Sequence, residues 1–140
     1  MDWNKLDRGI FLVNVLAIIY NPETKKILIG HREKDPYIPA ISWVFPGGRP
    51  AYDKDLEEYL KHEVRAKTGL EVEITKVIFA KTYPENREIM SIYYHCDAVD
   101  GELKAGDKFT EVKWINPSEV NNYFTTSIHP VIANYLKDLE

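Results

Sequence analysis

The run Pro46-Gly47-Gly48-Arg49, followed by Glu63 and Lys67, holds the residue types in this chain best suited to chemistry on a phosphate. Backbone amides at a glycine pair can approach an anion closely, and a guanidinium meets its oxygens in a planar fork. Gly47, Gly48, Arg49 and, upstream, Arg32 are therefore candidate substrate-binding residues. Glu63 offers a carboxylate that can take a proton or hold a cation. Lys67 lies four residues after it, the favourable order for a helical ion pair. Exposed to water, such a pair contributes only about 0.3–0.5 kcal/mol. Facing a pocket it matters more, and the Lys67 ammonium could touch a phosphate oxygen directly. A divalent metal would neutralise a diphosphate and activate water, but hard cations require oxygen ligands, chiefly carboxylates.

The histidines have competing readings. His129 precedes Pro130 close to Thr126 and Ser127, so it is a candidate catalytic base or phosphate contact on a loop over the pocket, or else a helix-capping residue at the surface. His31 reads as an outward strand residue, His95 as a satisfied sheet residue, and His62 lies on the helix that carries Glu63. Glu57 and Glu58 fall off the Glu63 face and read as solvated. Trp43, Tyr52 and Tyr83 could stack on a base or sugar, or pack the core.

Hydrophobic periodicity supplies the elements that must position these groups. Phe11–Tyr20 is rich in β-branched and aromatic residues and predicts a buried strand. Asn21-Pro22-Glu23-Thr24 is turn chemistry, and Lys26–Arg32 completes a hairpin. Glu33–Ser42 reads as a long irregular loop and Trp43–Phe45 as a short strand that Pro46-Gly47-Gly48 punctuates. Lys54–Thr68 predicts the one long helix, with Leu56, Tyr59, Leu60 and Val64 as its apolar stripe. Asp53 or Asp55 suits its start, and Gly69 suits the position just past its end. Strands follow over Glu71–Tyr83, Glu88–Val99 and Thr110–Ile115, and helices over Pro117–Tyr123 and His129–Leu139. This order predicts an α/β (α+β) fold, a mixed β-sheet with helices packed on it, as a single domain over residues 1–140.

The stretch Pro46–Leu70 resembles the Nudix box, G-x5-E-x7-R-E-U-x-E-E-x-G-U with U apolar. Gly48 takes the first glycine, Glu63 the first glutamate of the core, Val64 the apolar position, and Gly69 and Leu70 the end. The earlier acidic position falls on Lys54, the arginine on His62, and the last two glutamates on Ala66 and Lys67, so the box is degenerate. The resemblance implies a Nudix-like mixed sheet sandwiched between helices and a hydrolase of a nucleoside diphosphate linked to another moiety. Trp43–Arg49 and Asn116–Leu136 look most like the GDP-mannose mannosyl hydrolase branch. That likeness implies a nucleotide sugar as ligand, Arg32 facing the diphosphate, and the Gly47 carbonyl with Glu63 as metal ligands for Mg²⁺ or Mn²⁺. A non-catalytic module that binds a nucleotide or another anion without metal is the alternative. Alignment on Trp114 places Lys108 and Phe109 where that branch keeps a ligand and a base; neither side chain can do that work.

Composition narrows the partners. The net charge of −4 over 140 residues argues against general nucleic-acid binding. Phe11–Tyr20 is too short to span a bilayer. The single cysteine, Cys96, reads as a small buried hydrophobe and rules out an intramolecular disulfide, which suits the cytoplasm. The expected partner is a small-molecule nucleotide or nucleotide sugar, with a homodimer left open.

Overall fold

The computed structural model describes residues 8–33 and 42–140. The polar start Met1–Asp7 and most of the expected loop Glu33–Ser42 lie outside the described residues. In chain order the elements are β1 (Leu12–Asn21), β2 (Lys26–His31), β3 (Trp43–Val44), β4 (Gly47–Gly48), α1 (Leu56–Thr68), β5 (Leu70–Tyr83), β6 (Asn86–Gly101), β7 (Glu111–Ile115), a 3-10 turn (Pro117–Asn122) and α2 (Pro130–Asp138). The sheet runs β3-β2-β1-β6-β5, with β4 on β1 and β7 on β2. β1 and β6 are parallel from Leu12–Ile89 to Tyr20–Asp97, and the other pairings are antiparallel, so the sheet is mixed.

β1 and β2 pair only next to their turn, at Tyr20–Ile27 and Asn21–Lys26. Beyond that they part. On the edge that faced β1, β2 then takes β3 at Gly30–Val44 and His31–Trp43, while β1 takes β4 at Val15–Gly48 and Leu16–Gly47; β7 runs along the other edge of β2. The two branches open a cleft, and the glycine pair sits at the fork. A two-residue strand has no periodicity to read, so Gly47-Gly48 looked like punctuation in the sequence but forms a strand here.

Helices cover both faces, as expected. Val15, Ala17, Ile19, Tyr94 and Cys96 pack with Leu60 and Val64 of α1 in one core. Ile18, Ile27, Ile29 and Tyr93 pack with Ile132 and Leu136 of α2 in the other. The alternation of β1 assigns its residues to the two faces in turn. The Asp55 side chain accepts from the Glu58 amide at 2.8 Å and caps α1, and Gly69 closes the helix in the left-handed region. Leu56 is more exposed than the stripe implied, at 37%, and the buried face instead runs on to Lys67, 6% exposed. Pro117–Asn122 is a 3-10 turn, not a full helix.

Leu60→Ala should lower unfolding free energy by about 2–5 kcal/mol, since this fully buried side chain joins α1 to the sheet, and Asp55→Ala by about 1 kcal/mol. Urea titration followed by circular dichroism measures both; an effect of Leu60→Ala no larger than that of Asp55→Ala would contradict the packing described.

Candidate functional site

The cleft holds about 370 Å³ and is lined at one end by Gly47, Gly48, Arg49, Glu63, Lys67 and Arg32. Gly47 lies so close to β1 that a Cβ there would strike the Val15 carbonyl and Leu16, and at Gly48 it would meet the Tyr59 hydroxyl. Close backbone approach therefore requires glycine at Gly47, whereas at Gly48 a Cβ would displace the Tyr59 hydroxyl. The Ala17 amide donates to the Pro46 carbonyl at 2.8 Å and holds the turn against β1.

Lys67 is the centre of the site. Its ammonium donates to the Gly47 carbonyl at 2.5 Å and stands 3.3 Å from Glu63 Oε2. Its Nζ also lies 5.8 Å from the centroid of the Phe109 ring. The helix delivers it by the four-residue step from Glu63. The main chain is fixed as well, since the Gly106 amide donates to the Lys67 carbonyl and the Lys104 amide to Thr68, both at 2.9 Å. Burial lowers the pKa of Lys67 from its usual 10.5; Glu63 opposes that shift, Arg32 adds to it, and Asp107 opposes it. The Tyr59 hydroxyl is hydrogen-bonded to Glu63, and burial together with that carboxylate pushes its pKa up to about 12. It remains a neutral donor that orients Glu63.

Glu63, Lys67, Gly47, Gly48, Arg32 and Arg49 are thus brought together in one cleft. His129 is not among the residues that line it. Its Nδ1 accepts from the Val131 amide at 3.1 Å and caps α2, and its ring packs 4.6 Å from Phe79. The weighed alternative, a capping residue, is where the structure puts it; the neighbours Thr126, Ser127 and Ile128 line the cleft instead. His62, Glu57 and Glu58 are exposed on α1. His31 bonds Thr110 at 2.7 Å, and His95 is satisfied by Tyr135 and Asp97. Trp43 and Tyr83 line the cleft, whereas Tyr52 is fully exposed.

Two contributors escape a linear reading. Tyr59 counted only as apolar stripe, yet its hydroxyl meets Glu63. Asp107 sits at the cleft, one residue before Lys108, with φ 49, a conformation that Asp tolerates better than most residues. The Gly106-Asp107 dipeptide is a turn signal that could have drawn notice. The far wall is braced by Glu85, which accepts from the Ser127 amide at 2.9 Å and hydroxyl at 3.1 Å.

Comparison with known proteins bears on this geometry. The family model for the NUDIX domain matches residues 11–138. Nucleoside triphosphatase NudI of Escherichia coli (strain SE11) is 28% identical over 93 residues, which cover 58% of this chain and 66% of that protein. NudI of Shigella flexneri matches to the same extent. The match thus spans just under two thirds of the length of these curated relatives. A NUDIX hydrolase from Nitrosomonas europaea shares the fold with a TM-score of 0.75 and 20% identity, over 93% of this chain and 72% of that one. A MutT protein from Methanosarcina mazei Go1 does so with a TM-score of 0.68 and 20% identity, over 94% of both chains. No helix among the described residues is long and apolar enough to cross a membrane.

The lowered pKa of Lys67 has a measurable consequence. The unfolded chain keeps the lysine proton up to about its usual 10.5, the folded chain only to a lower pH. Between the two values the unfolded state binds more protons, so stability rises with pH across that window and falls as pH drops back through it. Relative to Lys67→Met, the native chain should gain stability as pH climbs toward 10.5. Parallel urea titrations at pH 7 to 10.5 check this; a flat difference would mean that Glu63 fully offsets burial.

Proposed function

The chain belongs to the NUDIX domain family, and we propose that it binds a nucleoside diphosphate joined to a second group, nucleotide sugars included, with the Lys67 ammonium standing where a divalent cation would otherwise sit. The observation that carries this reading is the bridge from Lys67 to the Gly47 carbonyl and Glu63. Those two oxygens are the metal ligands that the family likeness implies, and both face an ammonium. A hard cation needs several oxygen donors together. Ala66 and Lys67 provide none, and among the described residues no group of three or more Asp, Glu, His or Cys side chains is gathered to hold an ion. These residues do not fit Mg²⁺ or Mn²⁺.

They fit an anion better. Among the described residues, Arg32, Arg49, Lys67 and Lys108 line the cleft against Glu63 and Asp107, four cations to two carboxylates in a chain of net charge −4. Such a local excess inside an acidic protein selects a small phosphorylated ligand over a polyanion. The other end of the cleft is aromatic and suits a flat ring. A tethered ammonium attracts phosphate oxygens but cannot lower the pKa of a water as a metal does. Binding therefore outlasts efficient turnover in this reading.

Hydrolysis is the second reading, favoured by the retained Glu63 with Tyr59 bonded to it and by Asp107 at the same cleft. Either carboxylate could accept a proton from an attacking water. Nucleoside triphosphates, which the name of NudI points to, then join the substrates to be tried.

Calorimetry with nucleoside diphosphates and nucleotide sugars should show binding that survives EDTA, and Lys67→Glu should weaken it by about 10- to 100-fold, the effect of losing a charge-assisted hydrogen bond. The double variant Ala66→Glu, Lys67→Glu should acquire Mn²⁺ binding visible by electron paramagnetic resonance. Binding that disappears with EDTA, or brisk Mg²⁺-dependent turnover by the native chain, would overturn the ammonium reading in favour of a metal-dependent hydrolase.

A further inference from the structure

We propose that Asn14 is the residue that reads the ligand's base, pairing its carboxamide with a ring edge that holds a donor and an acceptor side by side. The inference rests on the nucleotide reading above and deepens it. Its basis is the row in which Asn14 stands. Side chains alternate along β1, so Asn14, Leu16 and Ile18 share one face. Ile18 is fully buried in the core beneath α2, and Leu16 packs against that core. Across the parallel seam their neighbours are Ser91, Tyr93 and His95. Asn14 thus puts a primary amide at the end of an otherwise apolar row, where a leucine or valine would serve the sheet better.

Among the described residues, no group is hydrogen-bonded to that amide. Ser91, its neighbour across the seam, donates instead to Tyr83 Oη at 3.0 Å, and the Tyr83 and Tyr93 oxygens lie 3.4 Å apart, so the nearby hydroxyls are engaged with one another. Asn14 is only partly buried and lines the cleft together with Tyr83, Tyr93, Phe45 and Phe124. An amide in that position bonds to whatever fills the cleft, solvent or ligand. A carboxamide sets an acceptor beside a donor, the complement of the amide or amidine edge that every nucleobase carries. It can turn to present the two in either order, so it does not choose between a ring carbonyl and a ring amino group. It chooses a heterocycle that has such an edge over a flat ring that lacks one. The aromatic walls do not make that choice. Phe45 lies 6.2 Å from the Tyr93 ring and 4.8 Å from that of Phe124, both edge-on, and these rings suit any flat group.

The test sets UDP, CDP, ADP and GDP against benzimidazole riboside 5′-diphosphate, a flat ring without the paired edge, by calorimetry. Inorganic pyrophosphate probes the phosphate end alone. In the native chain the tightest of the four nucleotides should bind about tenfold more tightly than the benzimidazole compound. Asn14→Leu should bring that nucleotide down to the benzimidazole level and leave pyrophosphate affinity unchanged. Because the amide makes no bond within the described protein, the same variant should match or exceed the native chain in a urea titration, which a structural role would not allow. Equal affinity for nucleotide and benzimidazole compound in the native chain, or undiminished nucleotide affinity in Asn14→Leu, overturns the inference while the nucleotide reading stands. So does a loss confined to UDP-glucose with UDP unaffected, which would set the sugar against Asn14. Failure of pyrophosphate and all the nucleotides to bind overturns both. The native comparison decides by itself should the variant fold poorly.

Discussion

A buried ammonium must be compensated where it lies, and the arrangement of this cleft follows from how Lys67 meets that requirement. The charge is too far from water to be left alone. Its partners come from separate parts of the chain: the carbonyl of Gly47 in β4, the carboxylate of Glu63 on α1 and the face of Phe109 before β7. The same residue's backbone carbonyl receives the Gly106 amide. One side chain and its peptide therefore tie the glycine turn, the helix and the loop leading to β7 into a single unit. Glu63 is in turn held by Tyr59, so each member depends on the others being satisfied. Removing one does more than delete a contact, because it leaves a charge of opposite sign uncompensated.

The sheet makes room for this unit by forking. Had β1 and β2 stayed paired along their length, the space now taken by β3 and β4 would be closed. Because they part after two pairs, β4 can lie against β1 while β3 lies against β2. The cleft then has two chemically distinct ends, a charged one under the C-terminal part of α1 and an aromatic one near α2. The separation matches the two cores, each assembled on its own face of the sheet.

What the sequence made legible was mostly local. Asp55 and Gly69 mark the ends of α1 because caps depend on one residue and its immediate neighbours. The bracketing of that helix by Gly48 and Gly69 was enough to place the chain in its family, which the match over residues 11–138 bears out. The likeness to the mannosyl hydrolase branch is finer than anything these relatives reach. The ion pair of Glu63 with Lys67 followed from helical spacing, but its burial did not, since that needs the glycine turn folded against the helix. Leu56 shows the converse: its type and spacing suit a core position, yet it sits at the first turn, where the helix has little to pack against. Asp107 reaches the cleft on a loop and Tyr83 and Tyr93 reach it from β5 and β6, and no spacing rule reports that. His129 could be read as base or cap, and the choice turned on where the Val131 amide lies.

The parallel seam between β1 and β6 has a consequence for assembly. β5 and β6 are neighbours in sequence and pair locally, whereas β1 and β6 are separated by α1 and β5 and their pairing closes a long loop. The cleft floor takes Asn14 and Leu16 from one side of that seam and Tyr93 from the other. A chain in which that seam is open lacks the complete floor of the cleft. Any small molecule that occupies the finished cleft thus acts on one state alone and pulls newly made chains toward completion by mass action.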